Sequence, residues 1–136
     1  MPKPPMVLVI DDDCSMRTTL SVILEAEGYR VVTAADGDEG LGALRASPVD
    51  VAVVDMVMPG LSGDEVCAAA KAIRPEAAVI MITAHVAANV AGKAVVAGAH
   101  SVVYKPLDVD ALLASIAELM PRAGGASDPR RVLTAR

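Results

Sequence analysis

Three consecutive aspartates, Asp11, Asp12 and Asp13, directly follow an apolar run, Met6–Ile10. A fourth, Asp55, directly follows Val51–Val54, while Thr83 follows Val79–Ile82 and Lys105 follows Ser101–Tyr104. A single aspartate at the end of a strand is most often a helix cap or a solvated turn residue. Asp13 sits where a following helix needs such a cap. Asp11, Asp12 and Asp55 gathered together would be another matter. Like charges in one place are costly unless a cation neutralises them or some take up protons. All-oxygen ligands suit a hard cation, and an incomplete protein cage suits Mg²⁺, which keeps waters and takes substrate oxygens. Lys105, ahead of Pro106, would face that acidic crevice and help balance it.

What must position these groups is an alternation of apolar runs with helix-length segments. The strand candidates are Met6–Ile10, Tyr29–Thr33, Val51–Val54, Val79–Ile82 and Ser101–Tyr104. The first, third and fourth are continuously apolar, the mark of strands covered on both faces of a parallel sheet. The second and fifth are mixed and suit sheet edges. Between them, Ser15–Glu27 carries Met16, Leu20, Ile23 and Leu24 on a helical stripe and ends at Gly28, a natural C-cap. Asp36–Ala46, Gly63–Ile73 and Val86–Ala97 are the next helical segments. A last helix runs from an Asp108 cap to about Met120, with Leu112, Leu113, Ile116 and Leu119 inward. Five β-α units in the first 120 residues predict an α/β fold, an open doubly wound parallel sheet. Ligands of such sheets sit beyond the carboxyl ends of the strands, where all four polar positions fall.

Composition narrows the function classes. The chain has 136 residues and is 54% hydrophobic, which suits one domain over residues 1–120. No apolar run approaches the ~20 residues of a membrane span. The N-terminus lacks the features of a signal peptide, so a cytoplasmic protein is expected. The net charge of −5 divides unevenly: Arg122, Arg130, Arg131 and Arg136 face only Asp128 in residues 121–136, which read as a flexible basic tail or linker. The remainder is therefore more acidic than the whole, and direct nucleic-acid binding by it is disfavoured. Tyr29 and Tyr104 are the only aromatic residues, so base stacking has little to work with. Cys14 and Cys67 match no metal-binding pattern and are expected to be buried or half-buried free thiols.

The set Ile10-Asp11-Asp12-Asp13, Val54-Asp55-Met56-Val57-Met58-Pro59-Gly60, Ile82-Thr83-Ala84 and Val103-Tyr104-Lys105-Pro106 resembles the receiver domain of two-component response regulators, of chemotaxis-regulator-like type. The resemblance spans about residues 6–120. It implies a flavodoxin-like (βα)₅ fold with strand order 2-1-3-4-5. It also implies that Asp55 accepts a phosphoryl group from a sensor histidine kinase or a histidine phosphotransfer protein. On this resemblance Asp12, Asp55 and the backbone carbonyl of Val57 ligate Mg²⁺, with Asp11 helping through water. Lys105 offsets charge, Thr83 takes a phosphoryl oxygen, and Ala84 leaves room for the group. Such a domain is no enzyme beyond its own phosphorylation and dephosphorylation.

The pattern is not matched everywhere. Where many members carry an aromatic switch residue three positions before the lysine, this chain has Val102, with Tyr104 nearer the lysine. Val57 and His85 occupy the two positions that tune dephosphorylation in the family; an apolar Val57 is expected to hinder the hydrolytic water. His85 reads as an exposed helix-start residue and His100 as a surface turn residue. The fourth helix, fifth strand and fifth helix would form the output surface for a downstream target or output domain. Val86, Val90, Val95 and Val96 suit either sheet cover, a partner helix or a homodimer.

Three other readings compete. A haloacid-dehalogenase phosphatase would need a second aspartate two positions after the nucleophile, where Val57 stands. A flavodoxin-like cofactor binder would need a Ser/Thr/Gly-rich phosphate loop after the first strand, where three aspartates stand. A non-phosphorylated pseudo-receiver acting as an interaction module would lack one of the acids or the lysine, and none is missing.

Overall fold

The computed structural model describes residues 3–83 and 98–120. Its elements alternate along the chain: β1 (Met6–Ile10), α1 (Cys14–Ala26), β2 (Arg30–Ala34), α2 (Gly37–Ala46), β3 (Val51–Asp55), α3 (Gly63–Ile73), β4 (Ala78–Thr83), β5 (Ser101–Tyr104) and α4 (Val109–Leu119). Every strand pair is parallel, and the order across the sheet is β2-β1-β3-β4-β5. This is the doubly wound order expected from the sequence. The helix expected over Val86–Ala97 lies outside the described residues, as do Ala84, His85 and residues 121–136.

The three continuously apolar runs became the central strands. Every residue of β1, β3 and β4 is buried, whereas β2 and β5 at the edges are mixed. Alternate residues of each strand point to opposite faces, so the sheet divides two core layers. Leu8, Ile10, Ala52, Val54, Val79 and Met81 face one layer, closed by Leu41 and Leu44 of α2 and Val66, Cys67 and Ala70 of α3. Val7, Val9, Val51, Val53, Ile80 and Ile82 face the other, closed by Leu20 and Leu24 of α1 and Leu112 and Ile116 of α4. Branched aliphatics and methionines fill both layers. Truncating a fully buried member such as Leu8 or Ile80 to alanine costs about 2–5 kcal/mol.

Helix ends follow local chemistry. The Asp13 carboxylate accepts from the backbone N–H groups of Ser15 and Met16, and Asp36 and Asp108 cap α2 and α4 likewise. Each such cap contributes about 1 kcal/mol. At the other end of α1, Gly28 adopts φ +94°. Its N–H donates to the Glu25 carbonyl (3.0 Å) and that of Tyr29 to the Leu24 carbonyl (3.2 Å). That pair of bonds closes a Schellman turn.

The same turn moves β2. The expected strand began at Tyr29, but the Tyr29 N–H is already engaged by α1, so the ladder starts with Arg30 N–H on the Pro5 carbonyl (2.9 Å). β3 and β4 run one residue beyond the expected ends, because Asp55 pairs with Ile82 and Thr83 with Tyr104. Cys67 is buried as expected, but Cys14 is exposed. It lies two residues, about 200° of helical rotation, from Met16, which shares the stripe of Leu20 and Leu24.

Candidate functional site

The site is built by strand register. Ile10 pairs with Val54, so the residues that follow, Asp11 and Asp55, stand side by side at the carboxyl rim. Backbone pairing carries on past the strands: Asp11 N–H donates to the Ala34 carbonyl (3.1 Å), Met56 N–H to Ile82 (2.8 Å) and Lys105 N–H to Thr83 (2.8 Å). By alternation Asp11, Asp55 and Lys105 continue the row of Val9, Val53 and Val103, on the α1/α4 side. Thr83 continues the row of Met81 on the other face.

Asp11 and Asp55 are 2% and 6% exposed, and Thr83 1%; Asp12 is exposed. One carboxylate oxygen from each of Asp11, Asp12 and Asp55 lies within 4.8 Å of the others. Oδ1 of Asp55 accepts the Val57 N–H at 3.1 Å, which orients the carboxylate. Its Oδ2 faces the Lys105 ammonium at 3.4 Å. Burial pushes the Asp11 carboxyl above the ordinary carboxylate range, against the pull of the Asp13 N–H on its Oδ1 (2.9 Å). The negative charge of Asp55 pushes it further, Lys105 opposes, and Asp12 adds to the rise. Three converging carboxylates, two of them buried, form a donor set that fits a hard divalent cation, whose charge would oppose that rise.

The sequence-expected residues Asp11, Asp12, Asp55, Thr83 and Lys105 thus come to one rim. Val57 stands on the loop after β3 with its side chain 59% exposed. On β5 the alternation is regular: Val103 packs with the α1/α4 layer, Val102 against the α2/α3 layer, and Tyr104 is 40% exposed. His100 is exposed but is more than a turn residue. It gives its N–H to the Val79 carbonyl (2.8 Å), and its Nδ1 accepts the Val79 N–H (3.1 Å). A cavity of about 360 Å³ adjoins the rim at Asp12, between the loops carrying Asp36 and Pro59.

Two residues of the site carried no role in the sequence. Gly63 begins α3 hard against the end of β3: a Cβ there would meet the Met56 Cα at 2.6 Å and the Asp55 carbonyl oxygen at 2.7 Å. Only glycine admits this approach. Arg17 reaches back from α1 so that its Nη1 donates to the Asp11 carbonyl at 2.8 Å. Neither contact follows from residue spacing alone.

Residues 7–117 match the family model of the response regulator receiver domain. The chain is 36% identical over 128 residues to the transcriptional regulatory protein GlrR of Escherichia coli K12, an alignment spanning 94% of this chain and 29% of that regulator. In structure it is similar to a receiver domain protein from Methanospirillum hungatei, with TM-score 0.81 and 31% identity over 85% of this chain and 92% of the other. It is also similar to a response regulator from Burkholderia pseudomallei solved with a phosphorylated aspartic acid, a calcium ion and citrate. There the TM-score is 0.78 and the identity 31%, over 88% and 69% of the two chains. With sheet order, rim chemistry and family match in agreement, the chain belongs to the response regulator receiver domain family, a signalling domain of two-component systems.

Proposed function

We propose that this receiver domain accepts a phosphoryl group on Asp55 in a Mg²⁺-dependent reaction, from the phosphohistidine of a sensor kinase or a histidine phosphotransfer protein. The supporting observation is the setting of Asp55: a buried carboxylate with Oδ1 held by the Val57 N–H, Oδ2 beside Lys105, and two further carboxylates within 4.8 Å. In the transfer an Asp55 oxygen forms a bond to phosphorus as the phosphorus–nitrogen bond breaks, and the imidazole leaves with that electron pair. A carboxylate can approach a dianionic phosphoryl group only if the charge is offset. The Lys105 ammonium does so on one side. Bound Mg²⁺ would supply the rest of the positive charge and orient the phosphoryl oxygens. Asp12, Asp55 and the Val57 carbonyl would ligate it, with Asp11 acting through water. Thr83 takes a phosphoryl oxygen after transfer, and the small Ala84 leaves space for the group. Beyond positioning and charge, little covalent work falls to the protein.

The phosphorylated aspartate of the Burkholderia regulator supports the same outcome here. The unit that performs it is residues 1–120, with 121–136 as linker or tail, and its place is the cytoplasm. The fourth-helix segment, β5 and α4 carry the change to a downstream target, an attached output domain or a second copy of the chain.

The test is phosphorylation by acetyl phosphate, comparing the native chain with Asp55→Asn in the presence and absence of Mg²⁺. Labelling of the native chain that needs Mg²⁺ and vanishes in Asp55→Asn is the expected result. Equal labelling of the variant defeats the assignment, and no labelling of either returns the chain to a pseudo-receiver.

A further inference from the structure

We infer that Arg17 is a positioning residue of the metal site, fixing through the backbone the relative aim of Asp11 and Asp12. The inference rests on the metal-site reading above and adds to it a residue outside the acidic cluster.

Asp11 and Asp12 are joined by one planar peptide unit, so its orientation sets the ψ of the first and the φ of the second. A net change in these two dihedrals turns the Asp12 side chain relative to that of Asp11, and so relative to Asp55. The carbonyl of this plane is the Asp11 oxygen, and it is the atom that Arg17 Nη1 grips at 2.8 Å. Arg17 is itself well placed to hold it. Its N–H bonds the Asp13 carbonyl at 3.0 Å in the first turn of α1, and that turn is capped by Asp13. The segment 11–13 is thus tied at each residue but one. Asp11 N–H is held by Ala34, Asp13 N–H by the Asp11 carboxylate, and the Asp11 carbonyl by Arg17. Asp12, exposed at the end of this chain of bonds, takes its direction from the peptide plane before it.

The grip is on the backbone and not on the carboxylates. The charges that act on the Asp11 carboxyl are those of Asp55, Lys105 and Asp12. A hydrogen bond from a charged donor to a carbonyl is among the stronger ones, and outer partners of this sort commonly alter metal affinity by tenfold or more. Two other arginines hold backbone carbonyls in the same way but far along the fold: Arg30 on Pro4 and Arg74 on Leu44. Arg74, which also pairs with Glu76 through its Nη1 at 3.2 Å, therefore supplies a control in which at least as much bonding is lost elsewhere.

Calorimetric titration of Mg²⁺ into the metal-free native chain, Arg17→Met, Arg17→Lys and Arg74→Met tests the role. Arg17→Met removes the donor and keeps the aliphatic stem, and its Kd for Mg²⁺ should rise about tenfold. Arg17→Lys, one bond shorter but still a donor, should fall between it and the native chain, and Arg74→Met should bind as the native chain does. In the acetyl phosphate reaction, Arg17→Met should need more Mg²⁺ for half-maximal labelling yet approach the native rate at saturation. Native Mg²⁺ affinity in Arg17→Met overturns the inference, as does an equal loss in Arg74→Met, which would make the effect general loosening. Failure of the native chain to bind Mg²⁺ overturns the metal-site reading itself and Arg17's role with it.

Discussion

The ammonium of Lys105 stands 3.4 Å from Oδ2 of Asp55, across fifty residues of sequence. The pair is asymmetric: the aspartate side chain is almost fully buried, and the lysine reaches it from a position one third exposed. Lys105→Met leaves the buried Asp55 carboxylate without its ammonium partner, so it should lower stability in metal-free buffer, and added Mg²⁺ should restore part of the loss. Its labelling by acetyl phosphate should fall by about 10²-fold, the usual loss when one preorganised positive donor is removed from a charge-developing site. A labelling rate within twofold of native would show that Lys105 offsets no charge in the transfer.

Asp11 opposes folding at neutral pH in the absence of metal. Its folded pKa is raised, first by burial, so the stabilising state is the protonated one. That contribution is complete below the ordinary value of 3.8 and is lost as pH rises through the folded pKa. Asp11→Asn keeps the Oδ1 that accepts the Asp13 N–H and removes the charge. Thermal unfolding in metal-free buffer at pH 7 should occur a few degrees higher in this variant, while the further rise on adding Mg²⁺ should shrink. A lower melting temperature without metal would contradict the electrostatic account.

Gly63 and Gly42 offer a matched pair. A methyl group at Gly63 meets backbone atoms of Met56 and Asp55, whereas one at Gly42 meets nothing within 4 Å. Gly63→Ala should destabilise the fold by about 1–3 kcal/mol and slow labelling, since the strain falls on the residue that bears the acceptor. Gly42→Ala, inside α2, should gain about 0.5–1 kcal/mol. Urea unfolding of both variants checks the contrast, and similar midpoints would refute it.

His100 gives the fold a second pH dependence, of opposite sense. Although the residue as a whole is exposed, partial burial of the ring and then the Lys71 charge lower its pKa below the ordinary 6.5, and the neutral Nδ1 accepts the Val79 N–H. Its contribution is full above the unfolded value and is lost as pH falls through the folded pKa. Between about pH 7 and pH 5 the native chain should lose stability more steeply than His100→Asn, whose Oδ1 can accept the same N–H without titrating. Parallel curves would exclude His100 as the cause.

Val57 bears on how long a phosphorylated Asp55 would last. Its N–H is tied to Asp55 Oδ1 and its side chain is 59% exposed, so an apolar group stands at the lip of the acceptor. Val57→Asn should shorten the half-life of phospho-Asp55 severalfold by letting water be held there, as followed by loss of label after removal of the donor. An unchanged half-life would clear Val57 of that part.

Much of this is legible in the amino-acid sequence, for identifiable reasons. Continuous apolar runs such as Val7-Leu8-Val9-Ile10 identify strands covered on both sides, and residues that follow such runs in a parallel sheet meet at one edge. That was enough to gather Asp11, Asp12, Asp55, Thr83 and Lys105. What escaped depends on partners remote in sequence. The start of β2 moved because the Tyr29 N–H is spent on the Leu24 carbonyl. Gly63 read as a helix start because nothing in the sequence says that Met56 lies 2.6 Å from where its side chain would be. Arg17 carried no signal in the sequence because its acceptor is a backbone oxygen, and backbone oxygens carry no residue signature. Exposure of Cys14 escaped because burial is a tendency of cysteine, while position on the helix decided it.

Along β1 and β3 the last apolar residues, Ile10 and Val54, directly precede Asp11 and Asp55, and Met56 and Met58 carry the α2/α3 layer into the loop beyond. Leu8, Val9, Val53 and Ile80 carry the interior, and Asp11, Asp55 and Lys105 carry the rim. Packing and chemistry therefore rest on different positions of the same strands. A side chain such as that of Val57, exposed in the loop between the buried Met56 and Met58, can change without disturbing either set. Gly63, which touches both sets, is the position where that freedom ends.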